Sequence, residues 1–168
     1  MDGYPIAAEA LDLEVYVLAA VFAGSAALAG LEARHRGLRW VRGTFERPEA
    51  SRRLISLAVM VRSQLDVLSR SCDMTVGTYV RDVRDQSEQE PLTLREACNK
   101  IIHAESVELS PGKWEHSESP ALSTAIVLEG TFQRCEWRAD LDVVAFLDAA
   151  CTELRPAQQT PGADGLRA

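Results

Sequence analysis

The chain is expected to fold as a mainly α protein, a four-helix bundle with a small β-hairpin before the last helix. Three observations lead there. Apolar residues recur at three- and four-residue steps over 54–68, 94–102 and 143–154, the period of an amphipathic helix. Thr93 followed by Glu96 is a capping-box pattern that opens the second of these runs. Between the second and third runs the period shifts: a β-prone stretch at 125–129 precedes an alternating one at 134–140.

The composition suits this class. The chain has 168 residues, 46% hydrophobic and 26% charged, enough for one domain with its own core. That domain is read as 1–155, with a polar, Pro- and Gly-rich C-terminal tail at 156–168 expected to be disordered. Aromatics make up only 6%, so the core rests on Leu, Val, Ile and Ala.

The first helix is expected from Ile6 to Arg36, with Gly37 as its stop. Within it, Val15 to Leu31 are 17 residues without a charge, the lower limit for crossing a bilayer. Acidic residues precede this run, and nine of the 17 are Ala, Gly or Ser, which pack closely but insert weakly. It is therefore read as a helix packed inside the bundle, with no membrane contact. A link from Leu38 to Arg47 follows, and Pro48 suits the first turn of the second helix. Leu54, Leu57, Ala58, Val61, Leu65 and Leu68 form that helix's stripe, and Arg62 and Asp66 a local ion pair.

Residues 71–90 carry the weakest pattern: Met74 to Val83 reads either as a short helix or as an extended piece, and Gln86 to Glu90 as a polar turn closed by Pro91. The third helix buries Leu94, Ala97, Cys98, Ile101 and Ile102, and a Pro-interrupted loop spans Ser106 to Ser119. The hairpin has Gly130 in its turn region. Asp140 then caps a last helix with the stripe Val143, Phe146, Leu147, Ala150, Cys151 and Leu154.

Charge and motifs narrow the chemistry. The net charge of -7 excludes general nucleic-acid affinity by the whole chain, although a local basic patch stays open. Arg34, Arg36, Arg39, Arg42, Arg47, Arg52 and Arg53 are such a cluster. Around Trp40 it reads either as an RNA contact through Arg39, Trp40 and Arg42 or as a solvated link between helices. Cys72, Cys98, Cys135 and Cys151 are spaced too widely for a zinc pair, so no metal is expected, and a reduced, cytoplasmic setting is the default. The absence of a P-loop, of GxGxxG and of GxSxG leaves no nucleotide cofactor or acyl-transfer elbow to argue for, and no cofactor is expected.

The third helix holds the most suggestive segment. Arg95, Asn99 and His103 follow one another at four-residue steps along its polar side, with His103 nearly opposite the apolar stripe. Asn99-Lys100-Ile101-Ile102-His103 resembles the signature helix of HEPN domains, the higher-eukaryote and prokaryote nucleotide-binding helical family. That resemblance, confined to one helix, implies a small helical bundle, and in many members a metal-independent RNase in which His and Arg act together. The family's Arg position is occupied by Cys98, so Arg95 is the nearest substitute, with Asn99 and His103, for a catalytic set. The expectation is a HEPN-like module that binds RNA or a protein, with degenerate RNase character. It is expected to form a homodimer. The alternative is a non-enzymatic adaptor or immunity-type subunit.

Overall fold

The computed structural model describes residues 8–32, 34–69, 72–84, 88–109, 111–112 and 121–154. The tail at 156–168 and the outer part of the 106–119 loop lie outside the described residues. In chain order the elements are α1 (Ala8–Glu32), α2 (Arg36–Leu68), β1 (Thr75–Val80), β2 (Glu90–Thr93), α3 (Leu94–His103), β3 (Ser106–Glu108), β4 (Pro111–Gly112), β5 (Ala121–Leu122), β6 (Ala125–Phe132), β7 (Cys135–Asp142) and α4 (Val143–Leu154).

The expected four-helix bundle with a small hairpin is thereby corrected. Five strands form one antiparallel sheet in the order β2-β1-β7-β6-β3, and β4 and β5 pair separately. The hairpin at 125–140 is the centre of that sheet rather than an appendage. Its inward residues Ile126, Leu128, Trp137, Ala139 and Leu141 are buried, whereas Glu129 and Arg138 on the other face are exposed. Helices α3 and α4 pack against the sheet, α2 packs on both, and α1 lies along α2. One continuous apolar cluster joins all four helices to the sheet.

Local chemistry explains where the expected boundaries moved. Residues 38–47 are helical, not a link, because α2 runs unbroken from Arg36 and carries Pro48 and Gly37 inside it. Pro48 and Gly37 are both exposed. α1 instead stops at Glu32, and the Arg34 and His35 amides turn back onto Leu31 and Glu32. Thr75-Val76-Gly77-Thr78-Tyr79-Val80 takes the extended alternative, as its β-branched and aromatic content favours. Glu90 and Pro91 belong to β2, an edge strand, where proline's missing N–H removes no inner ladder bond.

The β6–β7 turn is Gln133-Arg134, both left-handed (φ 50° and 71°), the geometry of a two-residue turn matched to strand twist. Gly130 lies back in β6 opposite Trp137. The cap of α4 is Asp142, not Asp140: its Oδ1 accepts from the Val144 and Ala145 amides at 2.9 and 3.2 Å.

α1 also differs from expectation. It buries Leu11, Leu18, Phe22, Ser25 and Ala29 but is not enclosed by the bundle, since Leu13, Tyr16, Leu28 and Leu31 stay exposed. Its span Glu9–Glu32 is long and apolar enough to cross a membrane by length and composition, with a mean hydropathy of 1.7. Polar contacts pin its inner face: Glu14 pairs with Arg53 (2.7 Å), Glu32 with Arg42 (2.9 Å), and Ser25 Oγ accepts from the Leu122 amide (2.8 Å).

Candidate functional site

The Thr93 hydroxyl accepts from the Glu96 amide and starts α3 directly at the end of β2. The Glu96 carboxylate turns along the helix to Asn99 Nδ2 (3.2 Å) and Lys100 Nζ (3.3 Å). Because α3 buries Leu94, Ala97, Cys98 and Ile101, its other side faces a groove of about 770 Å³ beside β1 and the turn end of β6–β7. Asn99, Lys100 and His103 line it from the helix, with Tyr79, Phe132 and Trp137 from the strands.

Lys100 is the centre of this arrangement. It is only 9% exposed, and its ammonium donates to the Tyr79 hydroxyl at 3.0 Å. The same ammonium lies 4.1 Å from the Tyr79 ring centre and 4.4 Å from that of Trp137, a double cation–π contact. A buried charge persists only when paired and hydrogen-bonded, and Glu96 with the two rings meets that need. Trp137 can lie where it does because its cross-strand neighbour is Gly130: a Cβ there would come within 2.5 Å of the indole.

The three residues expected to act together are divided. His103 is exposed and lines the groove, as does Asn99. Asn99 Oδ1 also accepts from Arg62, so the asparagine joins α3 to α2. Arg95 does not line the groove. Its guanidinium reaches across to Asp66 on α2 at 2.5 Å, and Arg62 holds the second carboxylate oxygen at 3.1 Å. These two guanidinium groups, Arg95 first, hold the Asp66 carboxyl below its ordinary value. Arg95 is also about 12 Å along the helix from His103, eight residues at about 1.5 Å each. Cys98 is fully buried, and desolvation pushes its thiol up to about 12. A side chain there points into the core, so no group at that position serves the groove.

The expected RNA contacts are also divided. Arg39 and Trp40 are exposed at the start of α2, Trp40 standing edge-on to exposed Phe45 at 6.1 Å between ring centres. Arg42 is half-buried between Glu32 and Glu46 and ties α1 to α2. Among the described residues, no three His, Cys, Asp or Glu side chains cluster as metal ligands would.

Sequence reasoning missed Lys100, Tyr79 and Trp137. A signal was present for the first: one of only two lysines in an arginine-rich chain, next to the apolar stripe of a helix. The rings carried none, because their approach depends on strand register. Comparison with protein-family models, with characterised proteins and with solved structures found no significant match.

Proposed function

We propose that this chain is a non-catalytic binding module whose groove between α3 and the β1–β7–β6 end receives a polypeptide segment of a protein partner. One observation carries this reading: the groove's charges are already neutralised within it. Lys100 pairs with Glu96, Arg81 pairs with Glu90 at 2.9 Å, and Asp82 adds a further acid. Phosphate recognition needs arginine or lysine charge offered to the ligand. What the groove offers is aromatic surface, with Phe132 66% exposed, rimmed by amide, hydroxyl and imidazole groups. Rings with a few placed polar groups suit side chains and backbone of a peptide. Phosphoester cleavage of the HEPN kind would need His103 and an arginine on one ligand, and Arg95 is held by Asp66.

The test is selection of a random peptide library on the full chain, with NMR mapping of the enriched sequences. Resonances of His103, Phe132 and Gln133 are expected to shift, and Phe132→Ser is expected to remove binding while leaving the fold intact. Failure to enrich any peptide would overturn the reading. So would cleavage of single-stranded RNA that disappears in His103→Ala.

A second reading rests on the basic start of α2, where Arg36, Arg39, Trp40 and Arg47 are all exposed, as is Arg34 just before the helix. Phosphates with one stacked base would fit such a surface. Anisotropy of a labelled oligouridine, titrated at several salt concentrations, checks it. Arg39→Ala should reduce the salt slope by about one unit.

A further inference from the structure

α1 has two seams rather than one. Leu11, Leu18, Phe22, Ser25 and Ala29 face the core. On the opposite side Leu13, Tyr16, Ala20, Ala23, Ala27 and Gly30 recur at alternating steps of three and four, and all six are exposed. This is the spacing by which one helix packs along another, knobs into holes. The seam ends in charges of opposite sign: exposed Glu9 at one end and exposed Arg34 just past the other. Gly30 has open space beside it, with nothing within 4 Å of the position a Cβ would take.

We propose that this face binds a second copy of the chain, as an antiparallel, two-fold α1–α1 pair. Size and charge select the register. Leu13 lies against the partner's Gly30, Tyr16 against the partner's Ala27, and Ala20 against the partner's Ala23. Leu13 and Tyr16 each meet a small residue and the centre is alanine on alanine, so no two large residues collide and the axes approach most closely at the middle. The same register brings Glu9 to the end of the partner's α1, beside the turn that carries Arg34 past Glu32, and the two-fold axis repeats every contact. A parallel pair would instead set Tyr16 on Tyr16 and Glu9 on Glu9 and leave a gap along the alanines. The seam from Leu13 to Gly30 is about 26 Å long and roughly 10 Å wide, 17 steps at about 1.5 Å each. That footprint, on the order of 300 Å² per copy, is smaller than a standard specific interface, so the dimer is a weak, reversible one. This surface is separate from the groove, and the inference stands whether or not the groove binds a peptide.

The test is sedimentation velocity of the full chain from about 2 to 200 µM. The weight-average mass is expected to rise toward twice the monomer. Glu9→Arg and Arg34→Glu should each weaken the dimer about tenfold, and the double variant should recover affinity to within about twofold. Ala23→Arg should abolish association without changing the circular dichroism spectrum. A monomer at every concentration would overturn the proposal, as would a dimer indifferent to Ala23→Arg and to the charge exchange. Flotation of the monomeric wild-type chain with phosphatidylglycerol vesicles would assign the face to a bilayer instead and overturn it equally.

Discussion

Replacing Gly130 by alanine adds one methyl group at a place where the structure has no room for it. The new Cβ would lie 2.5 Å from Trp137 Cζ2, 2.9 Å from Cε2 and 3.2 Å from the His103 carbonyl oxygen. Ordinary contact begins near 3.4 Å, so the indole must withdraw by nearly 1 Å. It has little space to do so, being 3% exposed with the Lys100 ammonium 4.4 Å from its ring centre. Overpacking of this kind costs about 1–3 kcal/mol, slightly offset by alanine's smaller loss of backbone freedom. A net loss of about 2 kcal/mol corresponds to a melting temperature lower by roughly 4–8 °C for a domain of this size. Urea titration of Gly130→Ala, Trp137→Ala and the double variant isolates the clash. Trp137→Ala alone should cost about 3–5 kcal/mol. The double variant should fall short of additivity by about 1–3 kcal/mol, because the indole that clashes is gone. Additivity within about 0.5 kcal/mol would refute the close packing of Gly130 and Trp137.

Other outcomes follow from single features. Gln133→Asn with Arg134→Gly should stabilise the fold by about 1–2 kcal/mol, since both positions are left-handed and neither native residue favours that region; thermal melting reads this directly. Gly77→Ala should prevent β1 from pairing with β7, because its Cβ would lie 2.1 Å from the Asp140 carbonyl oxygen, and loss of the cooperative melt is the expected sign. In the folded chain iodoacetamide should modify exposed Cys135 well before buried Cys98, whose thiol burial pushes up to about 12, and peptide mapping before and after unfolding checks the order. Hydrogen bonds from Arg52 and Arg53 lower the Glu49 carboxyl from 4.5 to about 2. Its contribution to stability is therefore present above pH 4.5 and lost as the pH falls toward 2, with Asp66 acting in the same direction; Glu49→Gln should flatten a melting profile taken across that window at low salt.

What the sequence determined by itself is local. The stripe Leu54, Leu57, Ala58, Val61 and Leu65, the Thr93 cap with its ten-residue helix, and the stripe of α4 are written in spacings of three and four. Each depends on neighbours within one or two turns, so each is legible without a partner. The placing of Asn99 and His103 on the polar side of α3 is legible for the same reason. The sheet is not. β1 and β2 are six and four residues long, and β3 is shorter still, too short for a pattern of their own. Their pairing also joins segments far apart in the chain, such as Tyr79 with Ala139. Long-range pairing also sets the site: Lys100 is buried only because register brings Tyr79 and Trp137 to its two sides and Gly130 leaves the space for the indole. Arg95, polar and helical from sequence, is directed to Asp66 by the packing of α2 on α3. Spacing along a helix determines which face a residue occupies, and only tertiary structure decides what that face meets.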